Sequence, residues 1–150
     1  MPSSNKKQGR DFHPRLIILQ IVALQCYHYI TLSLLYLLSH LLTSTPLTLS
    51  LLFSPLTLTS VTSVISSLTH ILAYLSTATG LMLIIEKSKK CLDFTVTVFL
   101  VHFCFCCIHS GWPGSWEWWI FNVAGVICCV CLGEWLCSWR EMKEIPSLLG

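Results

Sequence analysis

Residues 16–42 read LIILQIVALQCYHYITLSLLYLLSHLL, without one Asp, Glu, Lys or Arg. The uncharged run continues well past them: between Arg15 and Glu86 lie 70 consecutive residues with no formal charge. A helix crossing the roughly 30 Å hydrocarbon core of a bilayer needs about 20 mostly apolar residues. Seventy is too many for one crossing and enough for two joined by a connection. The connection shows at residues 43–60, where Thr, Ser and Leu predominate around Pro46 and Pro55, which interrupt a helix. A second apolar stretch occupies residues 61–85. After the short charged segment 86–91, a third follows at 92–109. Residues 110–115, SGWPGS, have the Gly and Pro content of a tight turn, and a fourth stretch runs from 116 to 139. The expected fold is all-α, a polytopic membrane protein built as a four-transmembrane-helix bundle.

Whole-chain composition agrees. The 150 residues are 54% hydrophobic and 11% charged, with mean hydropathy +0.71. Soluble domains carry about 25% charged residues, so too few ions are present to cover a water-facing surface. Net charge is only +2, which argues against nucleic-acid binding. All nine cations fall in three places: Lys6, Lys7, Arg10 and Arg15 in the tail 1–15; Lys87, Lys89 and Lys90 in the loop 86–91; Arg140 and Lys143 in the tail 140–150. Lys and Arg are retained on the cytosolic side. Both termini and the middle loop are therefore expected in the cytosol, with 43–60 and 110–115 luminal. The first apolar run exceeds the 7–15 residues of a signal-peptide core and reads as a retained anchor.

Polar groups inside the spans are the next signal. Asp93 lies just inside Lys90, and Glu134 lies six residues before Arg140, so both acids sit near the cytosolic boundary. An acid at that depth faces protein or water rather than acyl chains. Asp93 complements a helix N-terminus, whereas Glu134 is expected to pair with a neighbouring helix or with Arg140. In the first span, Gln20, Gln25, His28 and Tyr29 suit interhelical hydrogen bonds; the last three share a face at i, i+3, i+4. Gly125, Cys129 and Gly133 form a small-residue stripe on the fourth span, where helices approach closely in lipid. Trp112, Trp116, Trp118 and Trp119 read as an interfacial belt at the luminal end. Of the nine cysteines, Cys26, Cys104, Cys106, Cys107, Cys128, Cys129 and Cys131 read as small hydrophobes in packing. Cys91 and Cys137, at the charged boundary, are candidates for S-palmitoylation. No catalytic set, cofactor motif or loop-borne metal-ligand spacing stands out.

Specific residues also carry a resemblance. Cys91-Leu92-Asp93-Phe94-Thr95-Val96-Thr97-Val98, followed by His102, resembles the signature of the Sys family (SYS-one homologues), small four-span Golgi membrane proteins. Gly133-Glu134-Trp135-Leu136-Cys137 and the run Arg140 to Pro146 are similar to that family's last helix and tail. Trp118-Trp119 fits its Trp pair, and Gln20-Ile21-Val22 with Gln25 and Tyr29 fits its first helix. The resemblance implies a trans-Golgi receptor that recruits an ARF-like, ARF-related small GTPase, supporting golgin recruitment and endosome-to-Golgi traffic. A soluble GTPase meets such a protein at its short cytosolic segments, so Glu86, Lys87, Arg140, Glu141, Lys143 and Glu144 are candidate partner contacts. Asp93 and Glu134 join them, as carboxylates placed to attract an amine or basic side chain. The competing class is a small intramembrane transporter or a metal- or thiol-handling protein, resting on Glu134, the histidines and the Cys groups.

Overall fold

The computed structural model describes residues 14–44, 47–48, 50–53 and 58–149, excepting the side chains of residues 50 and 144–149. Lys6, Lys7, Arg10, Pro46, Pro55 and the Glu144 side chain lie outside the described residues. Five α-helices follow in order: α1 (Pro14–Thr43), α2 (Ser50–Phe53), α3 (Val61–Ile84), α4 (Cys91–Ser110) and α5 (Trp116–Leu149), with a 3-10 turn at Ser88–Lys90. Four of them, α1, α3, α4 and α5, are long and apolar enough to cross a membrane.

Local chemistry accounts for most boundaries. Proline opens α1 at a position where its missing N–H has no helical partner to lose. The helix closes where Ser44 turns left-handed (φ 53°) and donates its N–H to the His40 carbonyl. Ser60 caps α3, its hydroxyl accepting the Ser63 N–H at 3.2 Å. Gly111, at φ 78°, takes the left-handed position that ends α4. Two differences from the sequence reading stand out. The 43–60 connection holds the short helix α2, and α5 does not stop near Trp139 but runs on to Leu149. The first charge past the fourth span marks where the apolar stretch ends, and no glycine or proline interrupts Arg140–Ile145.

Helix α3 is the centre of the bundle. It packs along α1 on one side and α5 on the other; α5 also packs on α4, whereas α1 and α4 meet only sparsely. The buried residues of α3 are Ser66, Ser67, Thr69, His70, Ala73, Tyr74, Thr77, Ala78, Gly80 and Leu81. The Ser, Thr, Ala and Gly among them let neighbouring backbones come close. The distribution of polarity is the reverse of a water-soluble bundle. Nine buried side chains among the described residues are polar, including His28, His70, His102 and Asn122, while Leu42, Val61 and Ile108 are 76–80% exposed. An outer face of that kind is satisfied by lipid.

Trp118 departs from the expected belt. Trp112 and Trp116 are exposed, but Trp118 is 1% exposed and packs against Phe99, Phe103 and Trp119. It lies on the same α5 face as Asn122, Gly125, Cys129 and Gly133, all of them buried, and that face turns toward the other helices.

Candidate functional site

Among the described residues, every charged side chain except Glu117 lies toward one end of the bundle. The start of α1, the 86–90 turn, the first turn of α4 and the Arg140–Lys143 segment of α5 meet there. Gln20 Nε2 donates to the Ile84 carbonyl (3.0 Å), which fixes α1 to the end of α3. Arg140 then clamps the turn, donating to the Met82 carbonyl at 3.0 Å and to Glu86 Oε1 at 2.9 Å. One residue along α5, Glu141 takes the Ser88 N–H and hydroxyl on its two carboxylate oxygens, both at 3.2 Å. Glu86 itself sits at φ 61°, a left-handed conformation costly for a residue with Cβ, and it occurs where the Arg140 pair holds the side chain. Lys143 Nζ stands 3.5 Å over the Trp139 ring centroid. Of the two partners expected for Glu134, a neighbouring helix or Arg140, the second pairs instead with Glu86, and Glu134 is exposed.

Asp93 faces a different side of this end. It lines a groove of 280 Å³ with Ile17, Ile21, Lys90, Phe94 and Thr97, in the sparse seam between α1 and α4. No residue of α5 lines that groove, so Asp93 and Glu134 do not converge.

Deeper in the bundle lies a polar network that ties the spans together. His28 Nδ1 donates to Thr77 Oγ1 (2.8 Å), whose own proton goes to the Ala73 carbonyl (2.7 Å). Tyr29 reaches His102 Nδ1 at 3.2 Å. Tyr36 joins Ser66 and His70, and its hydroxyl donates to the Leu51 carbonyl of α2 at 3.1 Å. Tyr74 donates to Asn122 Oδ1 at 3.1 Å. Gln25, placed in the same set by its spacing, lies beside Tyr29 and makes no hydrogen bond of good geometry. The sequence reading missed Tyr36, Ser66, His70, Thr77 and Asn122. The signal was present for three of them: Ser66, His70 and Thr77 fall on one helical face, at spacings of four and seven residues.

A family model described as "Integral membrane protein S linking to the trans Golgi network" matches residues 7–147. The chain belongs to the SYS1 family. It is 36% identical over 139 residues to a protein SYS1 homolog of Nematostella vectensis, covering 91% of this chain and 88% of that one. A protein SYS1 homolog of Dictyostelium discoideum is 35% identical over 140 residues, 91% of this chain and 60% of that protein. Protein SYS1 of Saccharomyces cerevisiae is 28% identical over 146 residues, 95% and 71% respectively. No solved structure matches. The SYS1 assignment makes this chain an integral membrane protein and agrees with its four apolar helices.

Eight of the nine cysteines of this SYS1 chain fall into two sets, and Cys107 is half-buried between them. Cys91 and Cys137, candidates for acylation from their boundary position, are both fully buried with sulfurs 3.6 Å apart. Packing of α4 on α5 covers the two thiols, so neither sulfur is presented for acyl transfer in this arrangement. Cys106 and Cys129 are also buried, while Cys26, Cys104, Cys128 and Cys131 face outward. Among the described residues no three His, Cys, Asp or Glu side chains converge on a metal position. With the folded protein in detergent, an apolar maleimide that partitions into the micelle is expected to modify the outward-facing Cys26, Cys104, Cys128 and Cys131 first. Cys91, Cys106, Cys129 and Cys137 should react only after denaturation; peptide mass spectrometry reads the order.

Proposed function

We propose that this protein recruits an ARF-like, ARF-related small GTPase to the trans-Golgi membrane, supporting golgin recruitment and endosome-to-Golgi traffic. Its role is docking rather than catalysis. The family description, which links its members to the trans-Golgi network, supports the compartment. The observation that carries the docking surface is the clamp. Glu86, Arg140, Ser88 and Glu141 are locked into one arrangement by four hydrogen bonds, and Lys143 is fixed over Trp139. A pre-ordered set of charges loses less entropy on binding than a flexible tail. We place this end in the cytosol because Lys and Arg concentrate there, which puts the clamp where a soluble GTPase meets the membrane. Lys87 and Glu134 flank it, and Glu144 follows on the same helix.

Co-purification from Golgi-containing cells tests the reading. The wild-type protein is expected to capture an ARF-like GTPase in a guanine-nucleotide-dependent manner. Arg140→Glu should reduce capture about tenfold or more by placing two acids together, and Arg140→Glu with Glu86→Arg should recover much of it. If Arg140→Glu, still monodisperse, captures as much GTPase as wild type, the clamp is not the docking surface. If no ARF-like protein is captured by the wild type in either nucleotide state, the recruitment reading itself is wrong.

A further inference from the structure

The groove between α1 and α4 lies apart from the clamp and has its own chemistry. We propose that it binds a phospholipid whose head carries both a phosphate and a primary ammonium, phosphatidylethanolamine in its simplest form. The proposal rests on the geometry of the α1–α4 seam and not on the recruitment reading.

Lys90 and Asp93 are three residues apart and line the same groove. They are both exposed, and the ion pair formed among the described residues is Arg140–Glu86, not Lys90–Asp93. The groove therefore offers a cation and an anion side by side that are not joined in an ion pair. Its remaining walls are Ile17, Ile21 and Phe94, which match methylene chain. Thr97 adds no free proton, since its hydroxyl donates to the Asp93 carbonyl at 2.7 Å.

Position selects a lipid. Helix α3 packs closely on α1 and α5, whereas α1 and α4 meet sparsely; both are membrane-spanning helices, so a groove in their seam borders the acyl chains. It also lies at the first turn of α4, level with the charged end and so at headgroup depth. A lipid there presents its phosphate to the Lys90 ammonium and its chains to Ile17, Ile21 and Phe94.

Asp93 selects the rest of the head. A carboxylate forms short charge-assisted hydrogen bonds with an ammonium that has N–H groups to give. Choline has none, and phosphatidylglycerol brings no cation, leaving Asp93 unpaired beside a phosphate. Phosphatidylserine adds a carboxylate that Asp93 repels.

The test uses the full chain in nanodiscs or mild detergent, equilibrated with equimolar phosphatidylethanolamine, phosphatidylcholine and phosphatidylglycerol, with retained lipid counted by native mass spectrometry. Wild type is expected to retain phosphatidylethanolamine about tenfold over the other two, the size of one charge-assisted hydrogen bond. Asp93→Asn should erase the preference over phosphatidylcholine, and Lys90→Gln should lower retention of all three. Glu117→Gln, an acid bonded to Leu58 N–H at the opposite end, should behave as wild type. Both tested side chains are exposed, so folding survives, which size-exclusion chromatography checks. Equal retention of the three lipids by wild type, or an unchanged preference in Asp93→Asn, overturns the proposal. So does an Asp93→Asn protein that keeps its lipid but loses a co-purifying small GTPase, because the groove then belongs to a protein partner.

Discussion

Trp118→Ala is expected to lower stability by roughly 2–3 kcal/mol, measured as reversible unfolding in mixed micelles. In water, truncating a buried Trp to Ala costs about 3–5 kcal/mol, part of it transfer of apolar surface and part the cavity left behind. In a bilayer the unfolded helices already sit among acyl chains, so the transfer part largely cancels and the packing part remains. That part is large here. Trp118 is the largest of the fully buried side chains and touches Phe99, Phe103 and Trp119, with ring centroids 5.0–6.2 Å apart. Trp112→Ala, at the same end but 72% exposed, supplies the comparison and should change stability by less than about 0.5 kcal/mol. Equal losses in the two variants would mean that Trp118 sits in the interface rather than in the bundle.

That pair of tryptophans marks how far sequence reading reaches. The charge gap from Arg15 to Glu86, the prolines after Thr43 and the SGWPGS turn were sufficient for four spans, because a bilayer leaves few alternatives for long uncharged segments. Depth is also legible: the sequence puts the Trp cluster and the cations at opposite ends, and the described cations lie at the end away from that cluster. Lateral position is not. Trp118 at its depth suits a belt or a core equally well, and the choice depends on which helix stands opposite. Extending the Gly125–Cys129–Gly133 stripe two turns toward the N-terminus reaches Asn122 and then Trp118, so the face is readable in principle.

The charged end shows the same division. Asp93, Glu134, Glu86 and Arg140 were all assigned to one end, but their partners were not legible. Arg140 has Glu134 six residues away along its own helix, yet it pairs with Glu86, 54 residues distant in the chain. The approach of the α3–α4 turn to α5 decides that, and no local pattern encodes it. The interior histidines follow suit. His28 lies on a face legible from spacing, while His70 and Tyr36 meet across the bundle from α3 and α1, and the Ser and His neighbours that each has at helical spacing on its own helix do not say which opposing side chain it bonds.

Where close approach is concerned, the two glycines of α5 are expected to behave differently. A Cβ at Gly125 would stand 2.5 Å from Tyr74 Cδ2 and 3.0 Å from Cγ, against the body of the ring. That ring cannot swing away cheaply: it is 1% exposed, its hydroxyl is bonded to Asn122, and the His28 ring packs 5.2 Å from it. A Cβ at Gly133 meets the terminal methyl of Leu81 at 2.8 Å and otherwise nothing closer than 3.7 Å, and a methyl at the end of a flexible chain has somewhere to go. Gly125→Ala should therefore cost about 1–3 kcal/mol, the usual penalty for overpacking a filled core, and Gly133→Ala less than about 1 kcal/mol. Gly125→Leu should prevent α3 and α5 from docking, giving a protein that inserts but runs as a broad, aggregated peak on size exclusion. Tyr74→Ala in the Gly125→Leu background removes the obstructing ring and should restore part of the monodisperse peak. Recovery in that double variant separates a steric clash from a general intolerance of substitution in α5. A Gly125→Ala protein as stable as wild type would show that α3 and α5 do not meet at this point, and the central packing of the bundle would have to be redrawn.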